Sequence, residues 1–299
     1  MDLPLEHLRT FAAVVDEGSL EGAARLLHVS PSAVSQRLRN MEERTGSVLL
    51  MRSRPVAVTA TGAAVLRAAR QIAQVVEDVS AELDQGSARG SLVRLVINAD
   101  SLATWFVPAL ARAAAETGAR FEVLRADETV STERLRSGDA MAALTATPEP
   151  VPGCVSTRIG VDRYHPVASP AFYRQHFADG VTPELLAAAP RIDFDRHDMF
   201  QDRFLREYAG VSEQPSIPPR HFVPSSAEFV TAIELGMGWG MVPALQCAAP
   251  LASGTLVEVL PERSLALPLY WQRWNLHSPV LDTLTEIITA AARDALDFS

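Results

Sequence analysis

The stretch 19–46, SLEGAARLLHVSPSAVSQRLRNMEERTG, constrains this chain more than any other. It predicts two short helices joined by a tight turn. Ser19 can cap a first helix through Glu21, Ala23, Ala24 and Leu27, where Ala and Leu supply helix propensity. Val29 and Ser30 form the turn. Ser30 then caps a second helix, and Pro31 falls at its first position, where a missing N–H leaves no bond unmade. Val34, Leu38 and Met41 recur at i, i+4 and i+7 and make one apolar stripe. Ser32, Ser35, Gln36 and Arg39 fall on the other side. Their hydroxyls, amide and guanidinium are groups that reach base edges and phosphates in a major groove. Glu42 and Glu43 follow where carboxylates would repel phosphate, so the N-terminal half is the reading end. Gly46 stops the helix. An ordinary helical hairpin with a solvated polar face shares this spacing, and the flanking sequence separates the two readings.

Upstream, Leu5, Leu8, Phe11, Ala12 and Val15 predict an amphipathic helix to pack on the pair. Downstream, the apolar runs 48–51 and 56–58 flank Arg52-Ser53-Arg54-Pro55, which reads as a β-wing with a basic, proline-stiffened tip. Residues 59–62 lead into a long helix over roughly 63–84. Val65, Ile72, Val75, Val76, Val79 and Leu83 give it an apolar seam suited to a second copy of the chain, or to an interdomain spacer.

The 299 residues predict about two domains, and 47% hydrophobic content suffices for buried cores. No apolar run approaches a membrane span and the N-terminus lacks a signal layout, so a cytoplasmic protein without membrane partners is expected. Cys154 and Cys247 are far apart and lack metal spacing; buried thiols in a reducing compartment are expected. The net charge of −9 argues against indiscriminate nucleic-acid binding. The cations facing DNA would be the local cluster Arg37, Arg39, Arg52 and Arg54. All basic residues are Arg and none is Lys, which favours bidentate contacts. So few cations predict modest non-specific affinity, with specificity gained from multimers on repeated half-sites.

After the polar stretch 85–91 the periodicity changes. Strands are expected over 92–98, 121–124 and 140–144, with helices over 101–116 and 132–137, the alternation of a parallel α/β domain. Near 161–168 the chain is expected to cross into a second α/β lobe with strands at 190–194, 221–223 and 240–242. Strand 267–271 and helix 280–296 could return to the first lobe. The fold class is therefore α/β: a winged helix-turn-helix (1–62), a linker or dimerisation helix and hinge (63–90), and a two-lobed effector domain like the periplasmic binding proteins (91–299). Lobe I would take 91–162 and 268–299, and lobe II 163–267, with a ligand cleft between them.

The block Asn98-Ala99-Asp100-Ser101-Leu102-Ala103-Thr104-Trp105 sits where the first strand gives way to a helix, the edge where open α/β sheets bind ligands. The helix start offers N–H groups to an anion, Ser101 and Thr104 add hydroxyls, and Asp100 adds an acceptor, a combination that suits a zwitterionic amino acid. Asp127 and Glu128 follow the second strand. Asp193 and Asp195 flank a strand end in the other lobe, and Ser225-Ser226 opens another helix there. The bland alternatives stay open: Asp100 as a helix cap, the acidic pairs as solvated loop ends, and Trp105 as core.

These blocks resemble the LysR-type transcriptional regulators over essentially the whole chain. The carriers are Ala23-Ala24-Arg25-Leu26-Leu27, SPSAVSQR from Ser30 to Arg37, Leu49-Leu50-Met51-Arg52 and Thr59-Ala60-Thr61-Gly62. NADSLATW from Asn98 to Trp105, with Asp127-Glu128-Thr129, Ser225-Ser226 and Leu269-Tyr270-Trp271, is similar to the lysine- and arginine-responsive ArgP/LysG branch. The resemblance implies DNA contacts from Ser30, Pro31, Ser32, Ser35, Gln36, Arg37, Arg39, Arg52 and Arg54. It implies effector contacts from Asn98, Asp100, Ser101, Thr104, Asp127, Glu128, Asp195, Ser225 and Ser226. The implied partners are promoter DNA, a homodimer or homotetramer, and RNA polymerase. No cofactor is implied beyond a small effector, lysine or arginine. One departure stands out: Ser225-Ser226-Ala227-Glu228-Phe229 swaps the Glu and Ala of the branch pattern. No G-x-S-x-G elbow, H-E-x-x-H helix, phosphate loop or Cys/His metal set occurs, so no enzyme is expected. A ligand-independent architectural DNA protein remains the alternative function.

Overall fold

The computed structural model describes residues 3–51, 53, 55–83, 91–126, 128–209 and 219–298. They form two compact units: Met1–Ile97 with Arg112–Thr157 and Trp271–Thr285, and Asn98–Ala111 with Arg158–Tyr270 and Glu286–Ser299. Among the described residues no helix is long and apolar enough to cross a membrane.

The first unit opens with α1 (Leu5–Asp16), α2 (Leu20–Leu26) and α3 (Pro31–Thr45), followed by strands β1 (Leu50–Met51) and β2 (Ala57–Val58) and the long helix α4 (Ala60–Leu83). The caps fall where local chemistry puts them. Ser19 Oγ accepts the Gly22 N–H at 3.0 Å, and Ser30 Oγ accepts the Ala33 N–H at 3.2 Å. Gly46 closes α3 with φ of 65°, a conformation that favours glycine. The stripe Val34, Leu38 and Met41 is buried with Leu8, Phe11 and Val14 of α1 and Ala23 and Ala24 of α2. β1 and β2 pair antiparallel, Leu50 with Val58 and Met51 with Ala57, as expected of a wing. Its arginines, Arg52 and Arg54, lie outside the described residues.

The seam of α4 divides. Val65, with Leu66 and Ala69, is buried in the core of the helical bundle, whereas Ile72, Val75 and Val79 are exposed. The expected stripe is thus covered only along its first turns, where α4 rests on α1, and is exposed further along. Arg70 of α4 is largely buried and forks between Asp16, at the end of α1, and Asp139, in the turn after helix Glu128–Ser137. Arg134 reaches the other Asp139 oxygen at 3.2 Å. Burial alone would raise the Asp139 carboxyl, but the hydrogen bond and charge of Arg70, with Ser137 and Arg134, hold it below the usual carboxylate range. The contribution of Asp139 is therefore fully present above the ordinary carboxylate pKa and is lost as pH falls below it and through the lowered folded value. Arg70→Ala is expected to cost about 2 kcal/mol near neutral pH. Denaturant midpoints measure the cost, and the gap between variant and wild type should close in acid.

In the same unit β3 (Leu92–Ile97) pairs in parallel with β4 (Arg120–Arg125) on one side and β5 (Ala142–Thr145) on the other. This is the expected parallel α/β pattern. Strand β6 (Cys154–Ala168) carries the chain into the second unit, where it pairs antiparallel with β9 (Gly240–Pro243) and β10 (Val257–Glu258). There β7 (Arg191–Asp193) and β8 (Arg220–Phe222) pair in parallel. Strand β11 (Leu265–Trp274) and helix Pro279–Ala295 each pass between the units in turn. Ile192, Phe229, Val230, Ile233, Val242 and Cys247 form a core of the second unit.

Candidate functional site

The outer face of α3 follows from helical geometry. At about 100° per residue, Ser32, Gln36 and Arg39 lie roughly opposite Val34, and all three are exposed; Ser35 is half-buried beside them. Ser30 and Pro31 are exposed at the helix start, where the Ser30 and Ser32 hydroxyls lie 2.9 Å apart. Gln36 Nε2 donates to Asn40 Oδ1 at 3.0 Å, which orients the amide; Asn40 is a residue that sequence reasoning missed. Arg39 Nε donates to its own helix at the Ser35 carbonyl, 3.4 Å away.

Arg37, three positions after Val34, falls on the border of the buried stripe, and its guanidinium turns onto α1. Nη1 donates to Thr10 Oγ1 at 3.1 Å and Nη2 to Glu6 at 2.9 Å. Glu42 has a similar internal duty, accepting the Leu49 N–H at 2.9 Å and tying α3 to the wing.

The second constellation lies within the second unit. Its helix runs as three consecutive pieces, Ala99–Ser101, Leu102–Phe106 and Val107–Thr117, the middle one wound as a π-helix, a geometry concentrated at functional sites. Asn98 is the N-cap residue, so the cap is not Asp100. The Asp100 carboxylate instead accepts from Tyr164 OH at 2.7 Å and from Ser226 Oγ, which itself accepts from Gln246 Nε2 at 2.9 Å. Strand pairing explains the convergence. Tyr164 of β6 lies opposite Pro243 of β9, and the helix after β9, Ala244–Ser253, carries Gln246 toward Ser226. Tyr164 also stacks on Phe200, ring centroids 4.4 Å apart. Asn98 Oδ1, Ser101 Oγ and Trp105 Nε1 are buried with no hydrogen-bond partner among the described residues.

Other expected site residues are used elsewhere. Thr104 Oγ1 donates to the Asp100 carbonyl at 2.7 Å, so its proton is spent within the helix. Asp195 accepts the N–H groups of His197 and Asp198 at 2.6 and 3.1 Å, closing its own turn. Ser225 donates to Glu228, and this bond leads the interactions that hold the exposed Glu228 carboxyl below its usual range. The swapped Glu228 is therefore part of a helix start. Asp193 is buried between Arg191 and Arg220. Asp127 lies outside the described residues, and Glu128 opens a helix with its side chain likewise outside them.

Sequence reasoning missed Tyr164, Gln246 and Asp162. Asp162 is buried on β6, two residues from Tyr164 and so on the same strand face. Burial, then the charge of Asp100, pushes its carboxyl up to about 7; the Arg163 backbone N–H opposes this and Asp297 adds to it.

A helix-turn-helix with a wing, followed by an α/β region with a polar cluster at a helix start, defines the class of ligand-responsive DNA-binding regulators. Residues 5–63 match the bacterial regulatory helix-turn-helix family of the lysR type, and residues 86–293 match the LysR substrate-binding domain. The chain belongs to the LysR family of transcriptional regulators. It is 39% identical over 290 residues to the transcriptional regulator LysG of Mycobacterium tuberculosis (strain ATCC 25618 / H37Rv), covering 96% of this chain and 92% of that one. Identity is also 39% over 292 residues to ArgP of Pseudomonas aeruginosa (strain UCBPP-PA14), covering 97% and 96%. Among solved structures, ArgP from Mycobacterium tuberculosis superimposes with a TM-score of 0.91 at 38% identity over 98% of each chain. Full-length LysG from Corynebacterium glutamicum with bound effector Arg gives 0.85 at 34% identity, over 98% of this chain and 99% of that one.

Proposed function

We propose that this regulator reads promoter DNA through the outer face of α3 and the wing, and that arginine or lysine held at Asp100 tunes the outcome. The observation that carries the effector reading is the Asp100 carboxylate, oriented by Tyr164 and Ser226 beside the unpartnered Ser101 hydroxyl. An acceptor at a helix start suits a zwitterion, and the Corynebacterium glutamicum relative has been solved with arginine bound. In this reading residues 1–62 read DNA, 63–90 link and pair copies, and 91–299 sense the effector. The exposed Ile72, Val75 and Val79 of α4 support pairing. An effector with unequal affinity for two arrangements of the pair would shift their populations.

Fluorescence anisotropy on DNA from upstream of the protein's own gene and the adjacent gene, with and without arginine or lysine, tests this. Binding is expected, with an effector-dependent change in half-saturation. Arg39→Ala should weaken specific binding about tenfold, in line with the loss of one base or phosphate contact. No binding under any condition would overturn the reading, and binding indifferent to both amino acids would favour an architectural role.

A further inference from the structure

Asp100 is not the only carboxylate at this place. Asp162 and Tyr164 share one face of β6, and Tyr164 is the residue that reaches Asp100, so the strand brings the two acids together. Their mutual repulsion is felt in the Asp162 carboxyl itself. The groups around Asp162 supply no balancing cation. Tyr164 stands on its own strand, Asp100 on the helix that starts at Ala99, and the Cys247 thiol on helix Ala244–Ser253, itself pushed up to about 12 by burial, then Glu258 and Asp162. Asp297 comes from the segment bridged to Val161, and Arg163, on the opposite face of β6, is paired with it at 2.6 Å. Among the described residues neither Asp100 nor Asp162 has an ion-pair partner. The Ser101 hydroxyl, fully buried beside Asp100 in the chain, has no partner either and points independently to a missing polar ligand.

We propose that Asp162 is a second effector-selecting carboxylate, acting with Asp100 to prefer amino acids with a cationic side chain over those with a neutral one. The inference rests on the effector reading above. A neutral amino acid brings one cation, its α-ammonium, whereas arginine brings two. A buried Asp162 and a half-buried Asp100 without a counter-ion are costly to charge together, and the second cation relieves that cost. Binding also expels the proton that Asp162 holds near neutrality. Because the bound cation favours the carboxylate, affinity rises with pH through about 7.

Calorimetry of the full-length protein with L-arginine and its uncharged isostere L-citrulline tests the proposal. Asp162→Asn should weaken arginine binding at least tenfold and leave citrulline within about threefold, so the preference collapses. In wild type, titrations in buffers of different ionisation heat should show about half a proton released per arginine at pH 7, and affinity about tenfold tighter at pH 8 than at pH 6. These readouts need no variant and survive a folding failure of Asp162→Asn. An unchanged arginine-to-citrulline ratio, equal losses for both ligands, or no proton release between pH 6 and 8 would overturn the role of Asp162 while leaving the effector site standing. No arginine binding by wild type would overturn both.

Discussion

Asp100→Asn is expected to lower arginine affinity by about 100-fold, close to 3 kcal/mol, the scale for removing one partner of a desolvated charge pair. The substitution keeps the shape and removes the charge, so the amide can still accept from Tyr164 or Ser226. Thermal melts should therefore change little, and calorimetry should carry the effect. A variant that binds arginine as wild type does would remove Asp100 from the site. Tyr164→Phe provides a graded comparison: it deletes one donor and retains the stacking on Phe200, so a loss well below that of Asp100→Asn is expected.

Gly62→Ala should damage the DNA-reading region far more than its size suggests. An added Cβ would sit 2.0 Å from the Leu49 carbonyl oxygen and 3.0 Å from its carbon, both backbone atoms that cannot swing aside. That carbonyl accepts the Thr59 N–H at 3.0 Å, while Thr59 Oγ1 donates to Val48 O and accepts the Gly62 N–H. Thr59 and Gly62 together therefore weld the start of α4 to the segment that leads into β1. Alanine would gain up to about 1 kcal/mol of helix propensity. Separating two backbones costs more, and a net loss of about 2 kcal/mol is expected. In a region of this size that shifts the melting midpoint by about 10 °C. Thr61→Ala, at an exposed neighbouring position, should be nearly silent.

The reach of the sequence follows from the range of each interaction. Caps, the proline start, the stripe of α3 and the wing were legible because each depends on residues a few positions apart. Periodicity leaves Arg37 on the border of the stripe, and the neighbouring helix α1 offers it Glu6 and Thr10. Nor does periodicity show where the stripe of α4 passes from buried at Val65 to exposed at Ile72, because that depends on how far α1 extends beneath it. At the proposed effector site, Asp100 and Ser226 stand out from their sequence blocks. Tyr164, Gln246 and Asp162 do not: Tyr164 meets Asp100 across 64 residues, Gln246 meets Ser226 across 20, and Asp162 follows from sharing a strand face with Tyr164, all set by strand register. Asp195 and Ser225 form their bonds with near neighbours in the chain.

The burial of Val65, Leu66 and Ala69 also bears on where the N-terminal region can be cut. The match to the helix-turn-helix family stops at residue 63. A fragment ending there would strip the cover from the α1 face that holds Phe11 and Val14, and would lose the Arg70 bond to Asp16. A cut that keeps this cover must therefore fall after Arg70, two helical turns beyond the end of the helix-turn-helix match.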